Sequence, residues 1–136
     1  MRIAFISCVK TKKNGTHRAD ELYISTYFKY SLRYAEKHFD KVYILSAKYG
    51  LLERSDFITK YEVTLKNKSV KEKKIWSILV YRDIVKKIHC KNLTFIAGKD
   101  YSEYLIILLK KAGYNVDIFL PHLMFGQKLQ YFKNHI

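Results

Sequence analysis

Short apolar segments alternate with segments of helical periodicity along the whole chain, and this alternation restricts the possible folds more than any other feature. The apolar segments predict strands over residues 2–7, 42–46, 92–97 and 116–120. Apolar residues at helical spacing predict helices over 21–39, 69–88, 101–112 and 126–134. Strands that alternate with helices form a mostly parallel sheet with helices packed on both faces. The sequence therefore predicts a single α/β domain over 1–136, a three-layer sandwich with a four-stranded sheet.

Polar residues at the segment boundaries give local predictions. Asp20 stands where the N-cap of the first helix is expected, and Ser69 stands at the same position of the second helix. Residues 51–67 show no regular periodicity and predict a long irregular connection. Long connections inside compact domains are usually functional or disordered, so this connection is a candidate part of a site.

The charge balance points to a polyanionic partner. The chain has 26 lysines and arginines against 12 acidic residues, which gives a formal net charge of +14. Basic chains bind phosphate backbones with release of counterions, so nucleic acid is the first partner to consider. The 12 tyrosines and 8 phenylalanines could add stacking surfaces for bases. A lysine-rich composition that reflects an AT-biased genome is the alternative.

The cysteines and the apolar segments argue against several protein classes. Cys8 and Cys90 are far apart and show no spacing typical of metal ligands, so neither a zinc site nor a disulfide framework is expected. No cofactor is predicted. The first residues lack the charge order of a signal peptide, and no later segment is long enough to span a bilayer. We expect a reduced, cytoplasmic setting without a membrane partner.

Polar segments follow all four predicted strands, where parallel strands would end at one edge of the sheet. In α/β folds the ligand binds outside the carboxyl ends of the strands, so these segments predict a site. They offer hydroxyls, lysines, tyrosine rings and backbone amides made accessible by glycine, which suits a phosphate and a base. The segments are Ser7-Cys8-Val9-Lys10, Ser46-Ala47-Lys48-Tyr49-Gly50, Gly98-Lys99-Asp100-Tyr101 and Pro121-His122.

Motifs along nearly the whole chain carry a family resemblance: I-S-C-V-K-T-K, I-L-S-A-K-Y-G-L-L, Y-E-V-T-L, I-A-G-K-D-Y and P-H-L-M-F-G-Q-K-L. They resemble a family of small bacterial and phage proteins of unknown function. That family is distantly similar to peroxide-stress-resistance DNA-binding proteins. It is also similar to a domain of archaeosine tRNA-guanine transglycosylases that is related in fold to uracil-DNA glycosylases. The chain departs from the family pattern at Lys60-Tyr61-Glu62, where a Pro-Tyr-Asp type segment is usual.

The resemblance implies a nucleic-acid-binding protein that processes a base, with cleavage of the N-glycosidic bond or another handling of the base as the expected chemistry. A carboxylate would stabilise the oxocarbenium-like sugar or activate water, and the base would have to leave the stack. The predicted catalytic residues are Lys48, Asp56 and Glu62. The predicted substrate-binding residues are Ser7, Cys8, Lys10, Ser46, Tyr49, Gly50, Gly98, Tyr101 and His122.

Two other functions stay open. One is a non-catalytic module that holds nucleic acid through charge, and the other is an enzyme or sensor for a free nucleotide or a nucleotide-derived metabolite. Single residues also have simpler interpretations, since Lys48 and Glu62 could be ordinary surface charges and Cys8 a buried small side chain. The sequence does not indicate the oligomeric state.

Overall fold

The computed structural model describes residues 1–7, 12–121 and 123–136, and a five-stranded sheet lies at its centre. The described strands are β1 (Ile3–Ser7), β2 (Thr16–Arg18), β3 (Lys41–Ser46), β4 (Gly50–Glu53), β5 (Phe57–Thr59), β6 (Asn92–Phe95) and β7 (Asn115–Ile118). The described helices are α1 (Ala19–Leu22), α2 (Thr26–His38), α3 (Val70–Lys87), α4 (Lys99–Lys111) and α5 (Phe125–His135), and a short 3-10 helix covers Leu65–Asn67.

The central sheet has the order β4-β3-β1-β6-β7. Its β1, β3, β6 and β7 are parallel, and Ile3 of β1 is aligned with Lys41 on one side and Leu93 on the other. The edge strand β4 is antiparallel to β3, with Gly50 opposite Ser46. The mostly parallel α/β sheet is confirmed, whereas the predicted number of four strands is wrong because β4 adds a fifth.

Helices cover both faces of the sheet, as predicted for a three-layer sandwich. Side chains of a strand point alternately to opposite faces, so a strand buried on both sides is apolar throughout. On one face Phe5 and Leu45 belong to a core that includes Trp76 of α3 and Leu105 of α4. The opposite core contains Ala4, Ile6 and Ile44 with Phe28 of α2 and Phe132 of α5.

The predicted second helix is confirmed, and the first helix differs from its prediction. Ser69 caps α3 in a capping box, in which its hydroxyl accepts the amide proton of Glu72. The predicted helix over 21–39 is divided into α1 and α2, and Ser25 caps α2 by accepting from the Phe28 amide. Asp20 is therefore not the N-cap of the long helix. Its carboxylate is nearly buried and binds Arg18 at 3.0 Å and Arg54 at 3.3 Å.

The segment predicted as an irregular connection, 51–67, contains regular structure. After Gly50 the chain turns straight back along β3 as β4, and β5 then pairs antiparallel with β2 in a small second sheet. Strands of four and three residues are too short to show periodicity in the sequence. Among the described helices, none has the length and apolarity that crossing a membrane requires.

Candidate functional site

The carboxyl ends of β1 and β6 form the switch point of the sheet. The chain leaves β1 for β3 on one side and later enters β6 on the other side of β1. In open parallel sheets a crevice forms where strand order reverses in this way. Gly98, which follows β6, donates its amide proton to the hydroxyl of Ser7 at the end of β1, at 3.3 Å. The two strand ends thus meet, as the sequence predicted.

A cavity of about 420 Å³ opens at this switch point. The first turns of three helices, with their N-caps, contribute most of its lining. Amides in the first turn of a helix carry partial positive charge and favour anions. The lining residues are Ser7, Ser25, Thr26, Tyr27, Gly98, Asp100, Tyr101, Phe125, Lys128 and Leu129. We call this cavity the switch-point cavity.

Two stacked aromatic rings form one wall of the switch-point cavity. The rings of Tyr27 and Phe125 lie 4.2 Å apart between centroids at 21°, and Phe132 supports Tyr27 edge-on from the core. Burial raises the pKa of Tyr27 to about 12. Phe125 is 63% exposed although its ring is held in this stack. An exposed and fixed ring of this kind suits stacking with a planar ligand.

A carboxylate and a lysine also belong to the lining of the switch-point cavity. Asp100, in the first turn of α4, accepts a hydrogen bond from Lys73 Nζ at 2.8 Å. This hydrogen bond raises the pKa of Lys73 above its ordinary value. Lys128 of α5 is half-buried at the same cavity. The cavity therefore presents both charges beside an apolar wall.

Ser46 organises the turn that follows β3. Its side chain is buried, and its hydroxyl donates to Tyr61 at 3.0 Å and accepts the amide protons of Lys48 and Tyr49 at 3.3 and 3.0 Å. Its carbonyl accepts from the indole of Trp76 at 2.9 Å. All of these contacts are internal, so Ser46 shapes the strand end from the core and does not line the switch-point cavity.

The remaining residues of the S-A-K-Y-G segment lie at the surface above this turn. Lys48 is exposed, with its Nζ 5.3 Å from the ring centroid of Tyr49. The Tyr49 hydroxyl donates to the Thr59 carbonyl at 3.3 Å, which ties the turn to β5. Lys12 Nζ lies 4.5 Å from the ring centroid of Tyr61. We call Lys12, Lys48 and Tyr49 the strand-end patch; the ring of Tyr61 lies buried beneath Lys12.

Gly50 ends the strand-end turn in a conformation that favours glycine. Its φ is +74°, a region that other residues rarely adopt. A Cβ at this position would lie 3.5 Å from Val80 Cγ2, which is ordinary contact. The backbone conformation, and not lack of space, therefore explains glycine here.

The two predicted catalytic carboxylates lie outside the switch-point cavity. Since β4 runs antiparallel to β3, the chain has returned to the amino edge of the sheet by Asp56, whose carboxylate accepts from the Glu53 amide at 2.9 Å. The prediction that Asp56 lies beside the strand ends is therefore wrong. The Glu62 side chain is 86% exposed and lies 3.8 Å from Lys60 Nζ.

The structure brings together only part of the predicted site. Ser7, Gly98 and Tyr101 line the switch-point cavity, whereas Ser46, Lys48, Tyr49 and Gly50 belong to the turn after β3. The predicted residues Cys8, Lys10 and His122 lie outside the described residues. In the part of the chain that is described, no cluster of three histidine, cysteine or acidic side chains could hold a metal ion.

The sequence did not predict the part of the cavity contributed by α2 and α5. Ser25 followed by Thr26 is an N-cap signal inside the segment 21–39, which the periodicity predicts to be one continuous helix. Phe125 and Lys128 belong to a helix whose contact with α2 depends on tertiary packing. The cap at Ser25 could have been recognised, but the approach of α5 could not.

A larger hollow of about 680 Å³ lies near the amino edge of the sheet. Charged side chains that pair with one another line it. Arg54 binds Glu36 at 3.3 Å, and Lys41 binds Glu53 at 3.2 Å. Because the hollow lies away from the carboxyl ends of the parallel strands, the switch-point cavity is the better candidate.

The chain belongs to a family of unknown function, DUF6884, whose model matches residues 3–134. No curated protein matches the sequence at a significant level. The match confirms the resemblance to a family of unknown function. The distant similarity to DNA-binding stress proteins and to glycosylase-like domains stays a prediction.

Proposed function

We propose that this DUF6884 protein binds nucleic acid, holds one nucleotide of it in the switch-point cavity and acts on its base. The observation that carries the proposal is the composition of that cavity. The Tyr27 and Phe125 stack stands at a strand switch point whose other walls are the first turns of α2, α4 and α5. An aromatic wall suits a base, and helix N-termini suit its phosphate.

The size of the cavity supports a single nucleotide as the guest. A volume of about 420 Å³ lies within the usual range of small-molecule sites and is too small for a duplex. A base that enters it from a polynucleotide would have to leave the stack, and unstacking costs a few kcal/mol. Stacking on Phe125, at about 1–3 kcal/mol per base, would offset much of that cost.

The charge of the chain supports a polynucleotide over a free nucleotide. A net charge of +14 greatly exceeds what one phosphate group requires. The strand-end patch supplies Lys12, Lys48 and the partly exposed ring of Tyr49 at the same sheet edge as the switch-point cavity. Lysines beside an exposed ring are typical of surfaces that follow a single strand.

Asp100 is the carboxylate that this structure offers for chemistry on the base. In hydrolysis of an N-glycosidic bond, the water oxygen bonds to C1′ of the sugar as the bond to the base nitrogen breaks. Asp100 would accept the proton of that water and stabilise the positive charge on the sugar, while the departing base takes a proton from Lys128 or solvent. Lys73 holds the carboxylate at 2.8 Å and keeps it oriented.

The experiment is incubation of the protein with single-stranded oligonucleotides that carry ordinary and modified bases, followed by mass analysis for a released base and an abasic strand. We expect release with the wild type and its loss in Asp100→Asn. Asp117→Asn is the matched control, because Asp117 is exposed on β7 and does not line the cavity.

Binding measured on the same samples separates the alternatives. Tight, steeply salt-dependent binding without release would indicate a non-catalytic module, and shallow salt dependence with a mononucleotide would indicate a free-nucleotide site. Phe125→Ala should weaken binding about tenfold or more, whereas Phe57→Ala, on the equally exposed surface of β5, should not. Absence of binding to any of these ligands would overturn the proposal.

A further inference from the structure

The helices α2 and α5 lie side by side, and both begin at the switch-point cavity. Tyr27 stacks on Phe125 at the cavity end, and His38 Nε2 lies 2.9 Å from the carbonyl oxygen of His135 at the other end. The two helices are therefore parallel. A surface that they share runs from the cavity towards the amino edge of the sheet, where α2 leads into β3.

A row of cations lies on the exposed side of α2. Lys29, Arg33 and Lys37 follow one another at intervals of four residues, so they lie along one line of the helix surface. All three side chains are exposed. The row begins about one turn after Thr26, which lines the switch-point cavity, and it extends over about 12 Å.

The neighbouring helix α5 widens this positive surface. Lys133 Nζ lies 5.3 Å from the ring centroid of Tyr30 on α2, and the Arg33 guanidinium lies 5.6 Å from the same centroid. The ring attracts both cations, which offsets part of their mutual repulsion. The sequence of α5 contains no acidic residue. We call Lys29, Tyr30, Arg33, Lys37 and Lys133 the α2–α5 face.

The charges of the α2–α5 face are not neutralised within the described part of the chain. None of the ion pairs between described residues includes a cation of this face, and Glu36, the acidic residue of α2, binds Arg54 at 3.3 Å instead. Like charges four residues apart destabilise a helix, and a cation near the helix N-terminus, such as Lys29, also opposes the helix dipole. Stability therefore does not explain the row, whereas a polyanionic ligand would.

We propose that the nucleic-acid strand whose nucleotide occupies the switch-point cavity continues along the α2–α5 face as a single strand, with its phosphates against the cations of that face. This inference rests on the proposed function of the cavity and adds the path of the polynucleotide. A duplex is stiff over this length, whereas a single strand can leave the cavity and bend along the helices.

The salt dependence of binding to a single-stranded DNA of about twelve nucleotides tests this path. The double variant Arg33→Gln/Lys133→Gln should weaken binding at least about fivefold at low salt. It should also reduce the slope of log K against log salt concentration by about 1.4, at about 0.7 for each cation. Thermal unfolding checks that the variant is folded.

Lys110→Gln/Lys111→Gln is the matched control for the loss of two charges. Both lysines are exposed in the last turn of α4, which packs on the opposite face of the sheet from α2 and α5. This variant should keep the affinity and the salt slope of the wild type. Equal effects of the two double variants would show that only the net charge matters, and would overturn the proposal.

Phe125→Ala separates failure of this inference from failure of the proposed function. It removes a stacking ring and no charge, so it should weaken binding and leave the salt slope unchanged. If Phe125→Ala weakens binding but Arg33→Gln/Lys133→Gln does not, the cavity binds nucleic acid and the path along the α2–α5 face is refuted. If only Arg33→Gln/Lys133→Gln weakens binding, the strand does not start from the cavity, and both proposals are overturned.

The length of the oligonucleotide tests the continuity between the cavity and the α2–α5 face. Wild-type affinity should rise from a mononucleotide to a strand of roughly six nucleotides, since the added phosphates reach the cations in turn. Arg33→Gln/Lys133→Gln should bind the mononucleotide as the wild type does and gain less with length. Equal gains in both proteins would contradict the path. Vesicles rich in phosphatidylserine that bind through these two cations, without any effect of the cations on oligonucleotides, would assign the face to a membrane and overturn the proposal.

Discussion

Ser46 should be more important for stability than a buried serine normally is. Its hydroxyl takes part in three hydrogen bonds, one to the Tyr61 hydroxyl and two from the amides of Lys48 and Tyr49. Replacement of Ser46 by alanine removes the acceptor of both amides and one partner of the Tyr61 hydroxyl, which also bonds to the hydroxyl of Tyr23 at 2.6 Å. The turn that follows β3 then loses the group that closes it.

The expected loss of stability can be estimated from these contacts. Leaving a buried polar group without its partner costs about 1–3 kcal/mol. Because water partly reaches the two amides, we expect Ser46→Ala to lower the free energy of unfolding by about 2 kcal/mol. A domain of 136 residues unfolds with an entropy of about 0.29 kcal/mol/K, so the melting temperature should fall by about 7 °C.

Calorimetry or circular dichroism on heating measures this loss, with Ser77→Ala as the matched control. Ser77 is equally buried, but its hydroxyl only donates to the Lys73 carbonyl one turn back in α3. Ser77→Ala should shift the melting temperature by less than about 2 °C, because alanine is a better helix former than serine and offsets the lost hydrogen bond. If Ser46→Ala behaves like Ser77→Ala, the hydroxyl of Ser46 does not hold the turn.

Three further outcomes follow from the structure. Gly50→Ala should lower the free energy of unfolding by about 1 kcal/mol in urea titration because φ is +74°, and an unchanged midpoint would contradict a strained turn. Lys48→Met should keep the melting temperature within about 1 °C of the wild type. It should also reduce the slope of log K against log salt concentration for oligonucleotide binding by about 0.7, and an unchanged slope would show that Lys48 does not contact the oligonucleotide. The pKa of Tyr27 is raised to about 12 in the folded state, so its neutral form is favoured there and stability should fall between pH 10 and 12. Tyr27→Phe should lessen that fall, and an identical pH profile would contradict the burial of its phenol.

The parallel sheet and its helices could be predicted because strands buried on both faces are continuous apolar runs. Residues 42–46 are such a run, and the structure buries all of them. The short strands β4 and β5 could not be predicted, since alternation needs more residues than they contain. The turn at Gly50 sends the chain back along β3 as β4, and because β4 is too short to be recognised in the sequence, the prediction puts Asp56 at the wrong edge of the sheet.

The candidate site was predictable where it depends on strand ends and unpredictable where it depends on packing. Ser7 and Gly98 follow parallel strands, so topology alone brings them together. The Tyr27 and Phe125 stack joins helices almost a hundred residues apart in sequence, and only the tertiary fold reveals it. Asp100 was part of a recognised strand-end segment, but its partner Lys73 comes from α3 and could not be identified from sequence.

Titration of the ¹⁵N-labelled protein with a short single-stranded oligonucleotide, followed by amide chemical shifts, tests the switch-point cavity most directly. We expect the largest shifts within 25–27, 98–101 and 125–129, the segments that contain most of the lining residues, and smaller shifts at the strand-end patch. Added salt should reduce these shifts to the extent that it weakens binding. Shifts confined to other surfaces, or no shifts at concentrations where binding is measured, would contradict the assignment of this cavity as the nucleotide site.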